Sequence, residues 1–475
     1  MIAARPPRVG LITFSDGRRH IHHDLLALNQ GHQARVAAAL RGAGLEVVEG
    51  EEVVWTSQSA GREGRRMAAA DVDVTVFNYA IWCFPQLSAI ATRFAPGPYV
   101  LLSNLHPSEA GMVGMLAAAG TMEQLGLTHT RHWGDVERPD VLARLVADVR
   151  AASAVRRLRG QTYGLFGGRP LGMFTAVANA DQWMSLFGVD IEHVEQEDLV
   201  RHGAAVPQER VTAAREWLER HVGEIRYDGD KLTPEKLELQ VRTYHAARAI
   251  IEEKELDFVG FKAQGDLTEH HVTMDVAEAF LNDPYDWEGP HEPIVAATEA
   301  DMDGALTMQL LKHLTGAPVL FADVRHYDED GGLWYLANSG THATYFAGAS
   351  DDPAVNLAGV TFWPEVSYYP AGGASVQHFA APGTMTLARL ARRSGEYRLT
   401  YTVAELVELD RDVALAKAAT TTPEWPHAFA RLPVGPSAML EGWPCNHVHG
   451  SYGDWSAELE RIAAVLGIEV VRLGV

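Results

Sequence analysis

Short apolar runs alternate with longer amphipathic stretches through the first two thirds of the chain. Residues 8–14 (RVGLITF) form an apolar run that ends at Ser15-Asp16-Gly17, a turn signal, and predict a strand. A helix is predicted over 25–43, closed by Gly44, then a strand over 46–54 and a helix around 68–70. Strands follow over 72–78 and 98–104, and Asn104 to Gly111 leads into an apolar helix. This order implies a doubly wound parallel sheet. A second series starts with the strand 162–166 and the glycine-rich turn 167–172. Its glycines are read as letting the chain reverse after a strand, in preference to cradling a phosphate. Charged amphipathic helices follow over 211–220 and 234–252, then a strand over 258–262. Strands over 294–298 and 319–323 flank a helix over 302–314, which makes one βαβ unit.

Past residue 328 the rhythm changes. Short strands are predicted over 333–338, 360–362, 366–369, 385–388 and 397–403, separated by glycine and proline. A helix over 455–466 and a closing strand from 468 end the chain. The expected architecture is α/β: two doubly wound domains, 1–157 and 158–328, followed by a β-rich C-terminal domain, 329–475.

The length of 475 residues suits about three domains at roughly 150 residues each. Hydrophobic residues at 47% and charged residues at 21% exclude a mainly disordered or coiled-coil chain. The formal net charge of −22 repels polyanions, so nucleic acid is not the expected partner. Cys83 and Cys445 are too few and too far apart for a disulfide framework, which suits a reducing compartment. Residues 1–9 are short and basic and run straight into an apolar strand, so no cleavable leader is read there. No apolar run reaches the ~20 residues that span a bilayer. A soluble, cytoplasmic protein is expected.

Two regions carry candidate chemistry. Glu299 follows the strand 294–298 and Asp323 ends the strand 319–323, one strand–helix–strand repeat later. Parallel neighbouring strands would deliver both carboxylates to one carboxyl edge, where open α/β sheets bind ligands. Adjacent carboxylates repel unless a proton or cation lies between them, and oxygen ligands favour Mn²⁺ or Mg²⁺. The competing reading is that Glu299 caps the following helix. The second region is 443–450 (WPCNHVHG), read as a loop, where a histidine would complete a two-carboxylate, one-imidazole site.

Several blocks together resemble L-fucose isomerase. They are 260–264 (GFKAQ), 286–289 (DWEG), 297–301 (ATEAD) with Gly304-Ala305, and 321–325 (FADVR). Asn338-Ser339-Gly340, Gly372-Gly373, 383–386 (GTMT), Trp425-Pro426 and Asn446-His447 with Ser451-Tyr452-Gly453 follow in the same order, and 16–19 (DGRR) is similar to the family's opening turn. The resemblance implies two Rossmann-like domains and a β-rich C-terminal domain, assembled as a homo-hexamer. It places Glu299, Asp323 and His447 at the Mn²⁺ ligands, and Glu299 and Asp323 also at the proton-transfer carboxylates. It places Gln264 and Asn446 on segments that line the sugar site. Arg18 in the opening turn and Trp425 are further candidates for substrate binding. Trp82 corresponds to an aromatic residue donated across a subunit interface. The chain is shorter than the family pattern, and Ala374 stands where the family carries a tyrosine after Gly372-Gly373.

The implied activity is metal-dependent aldose–ketose isomerisation of a (deoxy)hexose or pentose through an enediol. Arg18-Arg19-His20-Ile21-His22-His23 is dense in donors and keeps a sulfonated or otherwise anionic deoxy sugar open as substrate, although a solvated turn is the simpler reading. Arg169, Arg325 and His378 could serve the same role. A metal-dependent epimerase or lyase shares the chemistry. A non-catalytic sugar-binding protein would need no metal-ligand set.

Overall fold

The computed structural model describes residues 5–340 and 342–474; Met1–Ala4, within the basic opening stretch, lie outside the described residues. The chain divides into two compact units, Arg5–Arg157 with Ala457–Gly467, and Leu158–Ser456 with the stretch that begins at Ile468. No helix among the described residues is long and apolar enough to cross a membrane.

In the first unit five parallel strands lie in the order Glu46–Glu49, Arg8–Phe14, Val74–Tyr79, Tyr99–Ser103 and His129–Trp133. The last of these was not anticipated. The central strand Val74–Tyr79 is buried along its whole length, as a sheet covered on both faces requires. The helix Gly111–Gln124 approaches it so closely that a Cβ on Gly111 would lie 2.4 Å from the Tyr79 carbonyl oxygen and 2.9 Å from that of Ala80. Backbone cannot yield as a side chain can. Gly111→Ala is therefore expected to cost about 1–3 kcal/mol in urea unfolding, and a change under 0.5 kcal/mol would contradict this packing.

The second unit opens with a four-stranded parallel sheet in the order Ala296–Ala297, Phe258–Phe261, Thr162–Phe166 and Asp190–Val194. The glycine-rich turn after Thr162–Phe166 has Gly167 at φ +93°, and a Cβ there would meet Lys262 Cβ at 2.9 Å. Chain reversal and close packing account for that glycine.

Beyond it lies a barrel. The strands Gly383–Arg393, His447–Tyr452, Leu320–Asp328, Leu333–Ala337, His427–Arg431 and Glu396–Leu406 follow one another in antiparallel order. Pairing of Gly383–Arg393 with Glu396–Leu406 closes the ring, and Glu469–Arg472 adds a parallel strand outside it. Closure leaves no open edge among the six strands. Leu320, Leu336, Leu387, Ala428 and Val448 belong to one buried apolar cluster of the barrel. A separate small sheet joins Ala374–Gln377, Thr361–Pro364 and Glu224–Ile225.

The α/β class with parallel sheets and a β-rich C-terminal region is therefore present, and three local expectations are corrected. The strands bearing Glu299 and Asp323 are not parallel neighbours. Only Ala296–Ala297 pairs in the four-stranded sheet, whereas Leu320–Asp328 belongs to the barrel. The tight turn at 329–332 sends Leu333–Ala337 back antiparallel, so the hairpin partner wins the pairing. The segment 366–369 forms no strand but a loop. His447, read as a loop residue, begins the strand His447–Tyr452.

Candidate active site

Asp323 and His447 face each other as a register pair on adjacent barrel strands. Glu299 reaches the same place from the four-stranded sheet, through the turn Thr298–Ala300 that follows Ala296–Ala297. Glu299 and Ala300 sit at φ +54° and +46°, two consecutive non-glycine residues in the left-handed region. Such backbone costs about 1–3 kcal/mol per residue and concentrates at functional sites. It turns the carboxylate inward instead of along the helix Met302–Thr315. That helix is capped by Asp301, whose side chain accepts from the Gly304 N–H at 2.9 Å, so Glu299 is not the cap.

The three side chains converge. His447 Nε2 lies 2.9 Å from Glu299 Oε2 and 3.6 Å from Asp323 Oδ1. The 2.9 Å approach is not along a hydrogen-bonding direction, and the buried Nε2 has no hydrogen-bond partner. On the other side of the ring His447 Nδ1 meets Asp301 Oδ2 at 2.6 Å. Gln264 Nε2 donates to Glu299 Oε1 at 2.8 Å. Asn338 Nδ2 and Asn446 Nδ2 donate to the two oxygens of Asp323 at 2.8 and 3.0 Å. Gln264 and Asn446, expected to line the sugar site, hydrogen-bond to the carboxylates themselves.

The electrostatics are those of crowded negative charge. Burial pushes the Asp323 carboxyl up; the His447 charge opposes this and Glu299 adds to it. Burial alone would lower His447, but the Nδ1 hydrogen bond to Asp301 and the neighbouring charges of Asp301 and Glu299 outweigh that and hold it well above its usual value. Burial likewise works against the Asp301 carboxylate, yet Arg389 and His447 hold it well below the usual range. The pocket therefore favours positive charge between Glu299 and Asp323.

As placed, no group of three or more histidine, cysteine, aspartate or glutamate side chains among the described residues could hold a metal ion. The donor chemistry of Glu299, Asp323 and His447 nevertheless suits a divalent ion, and the two separations from His447 Nε2, 2.9 and 3.6 Å, are of the right order. Two hard oxygen donors and one imidazole suit Mn²⁺ or Mg²⁺. Cis donors around an ion with ~2.1 Å bonds lie about 3 Å apart, close to the observed separations, and the orphaned Nε2 is the atom such an ion would satisfy.

The other anticipated residues are placed as follows. Trp425 is buried and donates from Nε1 to Glu365 Oε2 at 3.0 Å, with the Tyr368 ring tilted against it at 5.4 Å and the Arg325 guanidinium 5.8 Å from its ring centre. Glu365 in turn acts electrostatically on Tyr369. Arg18 and Trp82 belong to the Arg5–Arg157 unit. Arg18 is held by Asp16, Nε to Oδ1 at 3.0 Å and Nη2 to Oδ2 at 2.6 Å, and His22 stacks on Trp55 at 4.8 Å. Arg169 lies over Phe174, and His378 is fully buried.

Sequence reasoning missed Asn338, Tyr369, Asp301 and Arg389 as site residues. Tyr369 joins Gln264 at 3.3 Å and Ser339 at 2.6 Å through its hydroxyl. Asp301 and Arg389 support His447. For Asp301 a signal was present, since an aspartate three residues before Gly304 is a helix-cap pattern. Arg389 lies mid-strand and gave none.

Burial pushes the Glu365 carboxyl up to about 8, and the charges of Asp275 and Glu424 add to this. Its folded value stands above its ordinary 4.5, so its contribution to stability is full below that value and is lost as pH rises through about 8. Gln at this position keeps an acceptor for Trp425 and has no charge to bury. Glu365→Gln is expected to match the parent near pH 4.5 and to exceed it by on the order of 1–3 kcal/mol at pH 8.5. Urea unfolding at both pH values checks this, and an equal gap at both would contradict it.

Comparison with known proteins defines the class. Three family profiles match in chain order: the first N-terminal domain of L-fucose isomerase over residues 6–160, the second N-terminal domain over 248–316 and the C-terminal domain over 336–474. Between them they take in most of the chain, and they define an aldose–ketose isomerase, an intramolecular oxidoreductase. L-fucose isomerase of Streptococcus pneumoniae strain CGSP14 is 26% identical over 549 residues, covering 98% of this chain and 92% of that protein. L-fucose isomerase of Klebsiella pneumoniae subsp. pneumoniae strain ATCC 700721 / MGH 78578 is 25% identical over 562 residues with the same coverage. The chain belongs to the L-fucose isomerase family.

Proposed function

We propose that this isomerase is divalent-metal-dependent and interconverts a (deoxy)hexose or pentose with its ketose through an enediol. The reading is carried by the convergence of Glu299, Asp323 and the orphaned His447 Nε2. An aldose and its ketose differ by a proton moved between C1 and C2 and another moved between their oxygens. The carbon-bound proton is weakly acidic, so negative charge on the enediolate sets the barrier. A divalent ion held by Glu299, Asp323 and His447, Mn²⁺ in this proposal, supplies positive charge where that negative charge develops, worth several kcal/mol.

The chain's own residues do the rest. One carboxylate of the Glu299–Asp323 pair takes the proton from one carbon and returns it to its neighbour, a role typically worth ~10²–10⁴-fold. Gln264 holds Glu299 and the two asparagines hold Asp323, so neither must reorganise during transfer. Trp425 and Gln264 line the sugar's path. We further propose a cytoplasmic homo-hexamer in which Trp82 and Arg18 complete a site near a subunit interface.

A second reading, an anionic deoxy sugar, is favoured by one observation: exposed Arg325, two residues beyond Asp323, rests over Trp425. Proton NMR of product formed in D₂O, with L-fucose and with a 6-sulfo sugar, tests both readings. Exchange at C1 or C2 with the carbon chain intact supports isomerisation, and the faster substrate decides the charge. Carbon–carbon cleavage, or inversion at carbon without ketose, would replace the reading with a lyase or an epimerase.

A further inference from the structure

Asp301 does more than its helix cap requires. One oxygen, Oδ1, accepts from Gly304 N–H at 2.9 Å and from Arg389 Nη2 at 3.0 Å. The other, Oδ2, takes His447 Nδ1 at 2.6 Å and is paired with Arg389 Nη1. Arg389 is fully buried in the strand Gly383–Arg393 and is fixed further by His449 Nε2 at 2.9 Å and the Thr175 carbonyl at 2.9 Å. Gly304 makes room for the clamp, because a Cβ there would lie 2.5 Å from Asp301 Oδ2 and 2.8 Å from Arg389 Nη1.

Neither capping nor stability accounts for this arrangement. Asparagine or serine caps a helix as well as aspartate does. Well-packed apolar side chains often equal or exceed a buried ion pair in stability. The remaining consequence is at the imidazole. With its oxygens held by the Gly304 N–H and the Arg389 guanidinium, the carboxylate beside Nδ1 takes that nitrogen as its donor, and Nε2 is the ring atom left for a ligand. That atom lies toward Glu299 and Asp323. A carboxylate behind a metal-binding histidine sets its tautomer and ring orientation in this way.

We infer that Asp301, clamped by Arg389, is a positioning residue that fixes His447 with Nδ1 protonated and Nε2 presented to the ion. The inference rests on the metal reading of Glu299, Asp323 and His447. With asparagine at 301 the amide donates to Nδ1, the ring proton moves to Nε2, and Nε2 becomes a donor to Glu299 instead of a ligand.

The test is calorimetric titration of Mn²⁺ into metal-stripped, full-length protein. The variants are Asp301→Asn, Gly304→Ala and His447→Gln, with the ¹⁴N signal in pulsed EPR of the bound Mn²⁺ as second readout. Asp301→Asn is expected to weaken Mn²⁺ binding about 10–100-fold and to diminish the histidine nitrogen signal. Gly304→Ala, which touches none of the three ligands, is expected to shift both in the same direction. It decides the question should Asp301→Asn not fold. A merely structural role would lower the unfolding temperature and leave affinity and nitrogen signal of the folded protein unchanged, which would overturn the inference. If His447→Gln binds Mn²⁺ as the parent does, the metal reading itself fails. If His447→Gln loses binding while Asp301→Asn and Gly304→Ala keep it, only the positioning role fails.

Discussion

Glu299→Gln is expected to fold normally and to lose turnover by at least the ~10²–10⁴-fold that a positioned proton-transfer carboxylate contributes. The amide keeps the shape of the side chain and an oxygen for Gln264 Nε2. It removes one of two negative charges that face each other across His447. The charge of Glu299 pushes both Asp323 and Glu278 upward, so its loss relieves repulsion there and offsets the attraction to His447 that is given up. Folding and turnover should therefore separate. Circular dichroism with urea unfolding measures the first, and ketose formation measures the second. Isomerisation at the parent rate would remove Glu299 from the reaction.

Arg389→Ala is expected to have the largest effect on stability, a loss of about 3–5 kcal/mol. The substitution leaves Asp301 buried without its guanidinium partner, and it strands His449 Nε2 and the Thr175 carbonyl. Replacing both partners, Arg389→Met with Asp301→Leu, removes the half-partnered buried charge and should recover much of that loss. It cannot recover the orientation of His447. Equilibrium urea unfolding distinguishes these cases. A loss below 1 kcal/mol for the single variant would mean that the ion pair is not the buried, mutually dependent unit described.

Much of the fold was legible in the chain because period and punctuation agree with the final packing. Residues 162–166 read as a strand and form one with those bounds, and Pro234 marks the first turn of a helix that runs to Glu253. The failures share a physical cause. Local pattern reports that a segment is a strand but does not name its partner. The run ending at Asp323 looked like the return of a βαβ unit, yet the turn at 329–332 offered an antiparallel partner at far smaller loop-closure cost. The segment 443–450 carries Trp, Pro and Gly and reads as a loop, but its second half is tied into the barrel by pairing with Leu320–Asp328.

The candidate site was legible for a different reason. Glu299, Asp323 and His447 are far apart in sequence, and resemblance to a family placed them together where spacing alone gave the wrong route. The backbone geometry behind Glu299 could not be read, because nothing in Thr298-Glu299-Ala300 announces two left-handed residues in a row. Arg389 was invisible because an arginine within a strand usually points to solvent, and only the closed barrel shows that this one is buried.

The central claim is that Glu299, Asp323 and His447 hold a divalent ion the reaction needs. Its most direct test is the initial rate of L-fucose isomerisation by the full-length protein before chelation, after exhaustive chelation and after Mn²⁺ is returned, with circular dichroism recorded at each stage. The predicted result is a rate that falls at least 100-fold with the fold intact and recovers with Mn²⁺ in the parent but not in His447→Gln. A rate that does not move when every metal has been removed would contradict the account.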